Sequence, residues 1–240
     1  MRTYRALDPD KVIDTIAALH KRVAERFPGA GLAAVCAELL VIAKENSARV
    51  AEVSQRRAGL RIGIAALLVA GAAGLGGVAL LLFRSVSATA DNVYSVLQGL
   101  EAAANLTVLL GAGVFFLTRI EERLKRRGAL KALHELRSII HVIDMHQLTK
   151  DPSAVVSVGS GTLSSPPRTL SRFEVTRYLD YCSEMLSLTS KVAVLFAQGF
   201  PDSEITEAVS DIERIAAGLS QKIWQKIMIL ESLGKSAAGR

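Results

Sequence analysis

Residues 62–83 read IGIAALLVAGAAGLGGVALLLF, a run with no charge, no proline and no strongly polar side chain. At 1.5 Å per residue a helix of this length reaches about 33 Å, enough for a hydrocarbon core of about 30 Å. An uncharged run this long rarely occurs in the core of a soluble protein, so the stretch predicts a transmembrane helix, taken here as 59–84. A second apolar stretch, taken as 100–119, carries Glu101 and Asn105 near one end and an apolar centre from Leu106 to Leu117. A dense basic flank follows it at once: Arg119, Arg123, Lys125, Arg126 and Arg127. Arg56, Arg57 and Arg61 precede the first span, while only Arg84 marks the connection at 85–99. Cationic side chains concentrate on the cytoplasmic side of a bilayer, so this asymmetry predicts two crossings, an external loop and both termini in the cytoplasm.

The composition agrees with a chain of two solvents. Half of its 240 residues are hydrophobic although 22% are charged, and the mean hydropathy is +0.31. The net charge of +6 would suit nucleic acid if it were spread over an open face. Its concentration beside the apolar runs instead predicts contact with anionic headgroups and no nucleic-acid partner. Residues 1–55 are amphipathic and charged, and the first apolar run begins too far along the chain for a cleaved leader. Together with the alanine-rich spans, this predicts an inner (plasma) membrane location. Cys36 and Cys182 fall in segments assigned to the cytoplasm, so reduced thiols are expected.

Outside the spans the periodicity is helical throughout. Asp8 suits a cap, Pro9 the first helical position, and Val12, Ile16, Leu19 and Val23 form one stripe. Pro28 and Gly29 break it, and Leu32, Val35, Leu39, Ile42 and Ala43 form the stripe of a second arm, so 1–58 reads as a helical hairpin. Residues 120–150 continue as a juxtamembrane helix, and 151–170, rich in Ser, Gly and Pro, read as a linker. Ser171 with Glu174 forms a capping box. The stripe Tyr178, Cys182, Met185, Thr189, Val192, Phe196 follows, then a turn at Gly199–Pro201 and the coiled-coil-like series Ile205, Val209, Ile212, Ala216, Leu219, Ile223, Ile227, Leu230. Residues 171–240 thus read as a second hairpin. The expected fold is an all-α membrane protein, with a two-helix transmembrane hairpin between cytoplasmic helical modules.

Three groups of residues invite a functional reading. Gly59 and Gly63, Ala70 and Gly74, and Ala73 and Gly77 are each four apart, which brings a second backbone close to the first span. Glu101 and Asn105 could ring the mouth of an oligomeric pore, against the plainer reading that they meet headgroups or the neighbouring helix. His134, Glu135, Arg137, His141, Asp144 and His146 crowd one helix. His134 and His141 share a face but stand about 10 Å apart, too far for one metal without bending. Arg137 between them repels a cation, so this reads as a polar face and no cofactor is expected. Trp224, off the apolar stripe beside Lys222 and Lys226, is the best-placed partner contact in 171–232.

No metalloprotease, phosphate-loop or nucleophile-elbow pattern occurs. The layout of two spans and a cytoplasmic helical module resembles in shape the two-span effector proteins of bacterial defence systems, with no shared motif. The expectation is a non-enzymatic, homo-oligomeric scaffold or interaction module, with an oligomeric pore as the alternative.

Overall fold

The computed structural model describes residues 6–85, 91–150 and 170–238, and among them every regular element is an α-helix. Five helices follow in order: α1 (Pro9–Arg26), α2 (Gly31–Ser85), α3 (Asp91–Leu148), α4 (Arg172–Gly199) and α5 (Ser203–Ala238). The chain divides into two compact units, one of Met1–Val50 with Gly128–Arg240 and one of Ala51–Arg127. The stretch read as a linker lies, from 151 to 169, outside the described residues, as do 86–90 of the expected external loop.

In the first unit the local signals act as their chemistry dictates. The Asp8 carboxylate accepts from the Asp10 N–H at 3.1 Å and Pro9 opens α1. The helix closes at Phe27, whose N–H donates to the Val23 carbonyl at 2.9 Å. Gly29 then adopts φ 75°, a region where a Cβ would clash, and this turns the chain into α2. Ser171 and Glu174 form the reciprocal capping box of α4.

The core of this unit draws on all five helices: the α1 stripe, Leu32 to Ala43 of α2, Ala129 to Ile143 of α3, and the stripes of α4 and α5. Central to it is α4, which packs against both α1 and α5. It buries the expected stripe and also Leu179, Tyr181, Leu186, Leu188, Ala193 and Leu195. A helix buried on several faces belongs inside a bundle rather than on one side of a hairpin. The hydroxyl of Thr189, fully buried, is satisfied by the Met185 carbonyl at 2.8 Å.

Each residue of the coiled-coil-like series on α5 is buried within this same chain. The series therefore packs against α4 and is not a free seam, so a partner at 171–232 would have to use other faces. Trp224, Met228 and Ile229 remain 60%, 47% and 46% exposed.

The second unit is the apolar part of α2 and α3. The helix α3 begins at Asp91, inside the stretch read as an external loop, and runs to Leu148 through the boundary expected at 119–120. Among the described residues one helix, over Leu97–Leu148, is long and apolar enough to cross a membrane by length and composition, and its apolar window has no buried residue. The side chains of 78–85, which close the first apolar run, lie outside the described residues.

Because Ile212 is 2% exposed inside one chain, Ile212→Ala should lower stability by about 2–5 kcal/mol without changing the mass of the complex. Chemical unfolding followed by circular dichroism, beside light scattering, checks both halves. A mass change at unaltered stability would show that α5 packs between copies.

Candidate functional site

The C-terminal end of α3 carries the densest polar junction of the first unit. His146 is half-buried, and its Nδ1 lies 3.2 Å from the Tyr178 hydroxyl of α4. On its other side stands Gly31, where a Cβ would fall 2.7 Å from the imidazole Cε1. A larger residue there would make the ring shift, because α2 starts against it. Phe27 packs edge-on to both Tyr178 and Tyr181, with centroids 5.3 and 6.2 Å apart, and Lys150 Nζ stands 4.8 Å over the Tyr178 ring.

One residue on, Gln147 is buried, and it links two groups, Asp144 and Lys226, through three hydrogen bonds. Its Nε2 donates to Asp144 at 2.6 Å, and its Oε1 and backbone carbonyl accept from Lys226 of α5 at 2.6 and 2.9 Å. Buried polar groups are tolerated when satisfied in this way, and the network fixes α5 on α3.

Burial sets the protonation of this junction. It pushes the Tyr178 hydroxyl well above its ordinary value, so the hydroxyl keeps its proton, and the imidazole tautomer sets which of the two groups donates in its bond with His146 Nδ1. Burial first, and Lys150 second, hold His146 below the usual imidazole range. The thiols of Cys36 and Cys182 are pushed up to about 11 and about 12, chiefly by desolvation, so neither is a thiolate at neutral pH.

The other residues of the histidine-rich face are not brought together. His134, Arg137 and His141 are exposed, and Asp144 bonds to Gln147. Among the described residues no group of three potential ligands could hold a metal ion. His134 shares with Glu38, Glu45 and Glu135 the rim of an open cleft of about 460 Å³. A larger cleft, of about 670 Å³, lies between α1 and α4 and is lined by Arg22, Arg26, Arg177, Phe173 and two glutamates. Its guanidiniums are engaged: Arg22 pairs with Glu184 at 2.6 Å and Arg177 with Asp180 at 3.1 Å, while Arg26 lies 5.5 Å over Phe173. Such exposed pairs contribute about 0–1 kcal/mol each.

In the second unit the two helices meet at Gly71, where a Cβ would touch Leu110 Cδ1 at 4.0 Å. Gly63, Gly74 and Gly77 have nothing within 4 Å of that position among the described residues, and Ala73 is exposed. Gly59 and the side chains of Ala70, Arg56, Arg57 and Arg61 lie outside the described residues. Helical rise carries the Gly71–Leu110 contact along both helices, setting Ile62 about level with Arg119 and Phe83 about level with Gln98.

On α3, Gly99, Ala103, Leu110 and Val114 are half-buried and form the face toward α2. Tyr94, Gln98, Glu101 and Asn105 lie about 160° round the helix and are exposed. Further along that outer face come Val108, Ala112 and Phe116, also exposed. At the basic flank the Arg119 guanidinium stands 5.1 Å over Phe115 and 3.5 Å from Glu122. Arg123 and Arg127 are exposed, and Lys125 and Arg126 half-buried.

No family model, curated protein or solved structure matches the chain.

The junction generates a pH effect whose sign is fixed. Folded His146 takes its proton at lower pH than the unfolded chain, whose imidazole titrates near 6.5. Stability is therefore full above 6.5, declines as pH falls through 6.5 toward the folded value, and then levels. His146→Gln should flatten that slope in melting curves taken between about pH 5 and 8, the range in which imidazoles titrate. Gly31→Ala should cost about 1–3 kcal/mol by driving the ring off Tyr178, and unchanged unfolding curves would show that the close approach is not maintained.

Proposed function

We propose that the chain is a non-enzymatic two-span membrane protein, a scaffold or interaction module whose helical bundle shares the cytoplasm with both termini. The observation that carries this reading is the surface of the second unit. Leu68, Val69, Val108, Leu109, Phe115 and Phe116 are 61–74% exposed. Monomeric proteins in water rarely leave so much contiguous apolar surface open, and hydrocarbon is the solvent that suits it. The register supports the same reading, because the uncharged run 62–83 and the stretch 98–119 coincide in height, with Arg119 opposite the start of the first run.

The non-enzymatic reading rests on what the best-placed chemical groups do. His146, Tyr178, Gln147 and Lys226 are each bonded to a neighbouring helix, a role that fixes the bundle. Between scaffold and pore, the outer face of α3 favours the scaffold. Its polar stripe ends at Asn105 and gives way to Val108, Ala112 and Phe116, so it does not provide a polar path across the bilayer.

Alkaline carbonate should leave the protein in the membrane pellet. Ser87→Cys should react with an impermeant maleimide on intact cells, and Ser210→Cys only after permeabilisation. Cys36 and Cys182, buried and protonated, give no background. Release by carbonate, or labelling of both sites from the same side, would remove the two-span reading.

A further inference from the structure

We propose that the outer face of α3, through Gln98, Glu101 and Asn105, is the surface on which a second copy of this chain docks within the membrane. The inference rests on the two-span reading above and adds to it the face by which copies associate.

Depth is the first argument. With Gly71 against Leu110, Gln98 stands level with the end of the uncharged run, Glu101 about 4–5 Å inside it and Asn105 about 10 Å inside. A glutamate at the shallower depth can extend toward the headgroups, as long side chains do near helix ends. Asn105 is too short to reach them. Thr107, beside it in sequence, satisfies its hydroxyl on the Ala103 carbonyl of its own helix at 2.8 Å. The Asn105 amide has no hydrogen bond within the chain among the described residues. An unpaired amide in hydrocarbon is costly, and a helix neighbour is the available remedy.

Direction is the second argument. Asn105 and Glu101 point about 160° away from the face that meets α2, so the other helix of the hairpin does not reach them. The partner must come from outside the chain.

Complementarity selects a second copy. All copies inserted with the same topology are parallel, so a two-fold pair sets each stripe against itself. An amide both donates and accepts, which lets Asn105 and Gln98 pair with their own counterparts. Each Glu101 extends from the edge of this face toward the headgroups, so the paired amides, and not the carboxylates, set the register. The face continues inward as Val108 and Ala112, where the small Ala112 permits close backbone approach. The glycines of α2 that meet nothing in the chain have no comparable polar group to fix a register.

The test is a cysteine scan of α3 in membranes containing the full chain, with mild oxidation. Cross-linked dimer is expected for Gln98→Cys, Asn105→Cys and Ala112→Cys and absent for Ala103→Cys, Leu110→Cys and Val114→Cys, which face α2. In mild detergent Asn105→Leu should weaken association about tenfold, shifting the protein mass toward one chain of 25.7 kDa. Carbonate-resistant protein that cross-links nowhere on this face, or with a different period, overturns the interface and leaves the two-span reading intact. Protein released by carbonate overturns both.

Discussion

An α-helix satisfies its backbone hydrogen bonds within itself, and α2 and α3 use that property over 55 and 58 residues. On the two-span reading proposed above this property matters, because few other structures could pass from water into an apolar solvent without exposing amides. The side chains change while the backbone does not. In the first unit each helix shows a buried stripe, as Leu39 and Ile42 do on α2 and Leu136 and Ile140 on α3. In the second unit apolar side chains occur on the outer faces as well, and among the described residues α2 meets α3 where Gly71 faces Leu110. Proline, the residue that most often interrupts a helix, is absent from α2 and α3, which is what continuity in a single helix requires.

The bundle is organised by α4. Because it is covered on several sides, its neighbours need little apolar surface beyond one stripe each, and their remaining faces stay polar. The junction at the end of α3 does what apolar packing alone cannot do, which is to set azimuth and height. His146 fits only against a glycine, and Gln147 accepts a lysine of α5 at two oxygens. Such a network is weak evidence for stability in itself. Its effect is to make displaced arrangements expensive, since a shift of one turn would take the buried Gln147 away from the Lys226 ammonium.

Much of the fold was legible in residues whose meaning is local. Asp8 and Pro9 begin α1, Ser171 and Glu174 begin α4, and the stripes from Val12 to Leu230 face the core, because capping and amphipathicity depend on a few neighbouring positions. What was not legible depends on neighbours distant in sequence. Periodicity says that Ile212 and Leu219 share a face but not whether that face meets α4 or another copy. The extra buried faces of α4, with Leu179, Leu186 and Leu195, depend on its neighbours in space, and polar side chains among them such as Ser190 return their hydroxyls to carbonyls four residues back. His146 stood among more conspicuous histidines, and its distinction is a glycine 115 positions earlier. The glycine pairs of α2 mark faces where close approach is possible, within the hairpin or between copies, and spacing alone does not say which face meets α3, where Gly71 stands against Leu110.

These assignments redistribute the surfaces on which the protein can associate. A heptad-like series is evidence for self-association only while nothing in its own chain covers it, and here α4 covers the series on α5. Trp224, Met228 and Ile229 are exposed but sit beside Lys222 and Gln225 in the aqueous unit, where water solvates unpaired polar groups at little cost. Asn105 is different: if the two-span reading holds, its surroundings are hydrocarbon, and the same amide that would be neutral on α5 becomes a requirement for a partner. On that reading the solvent, more than the residue, decides which polar group drives assembly, and the contact between copies proposed above lies on the outer face of α3 rather than on α5.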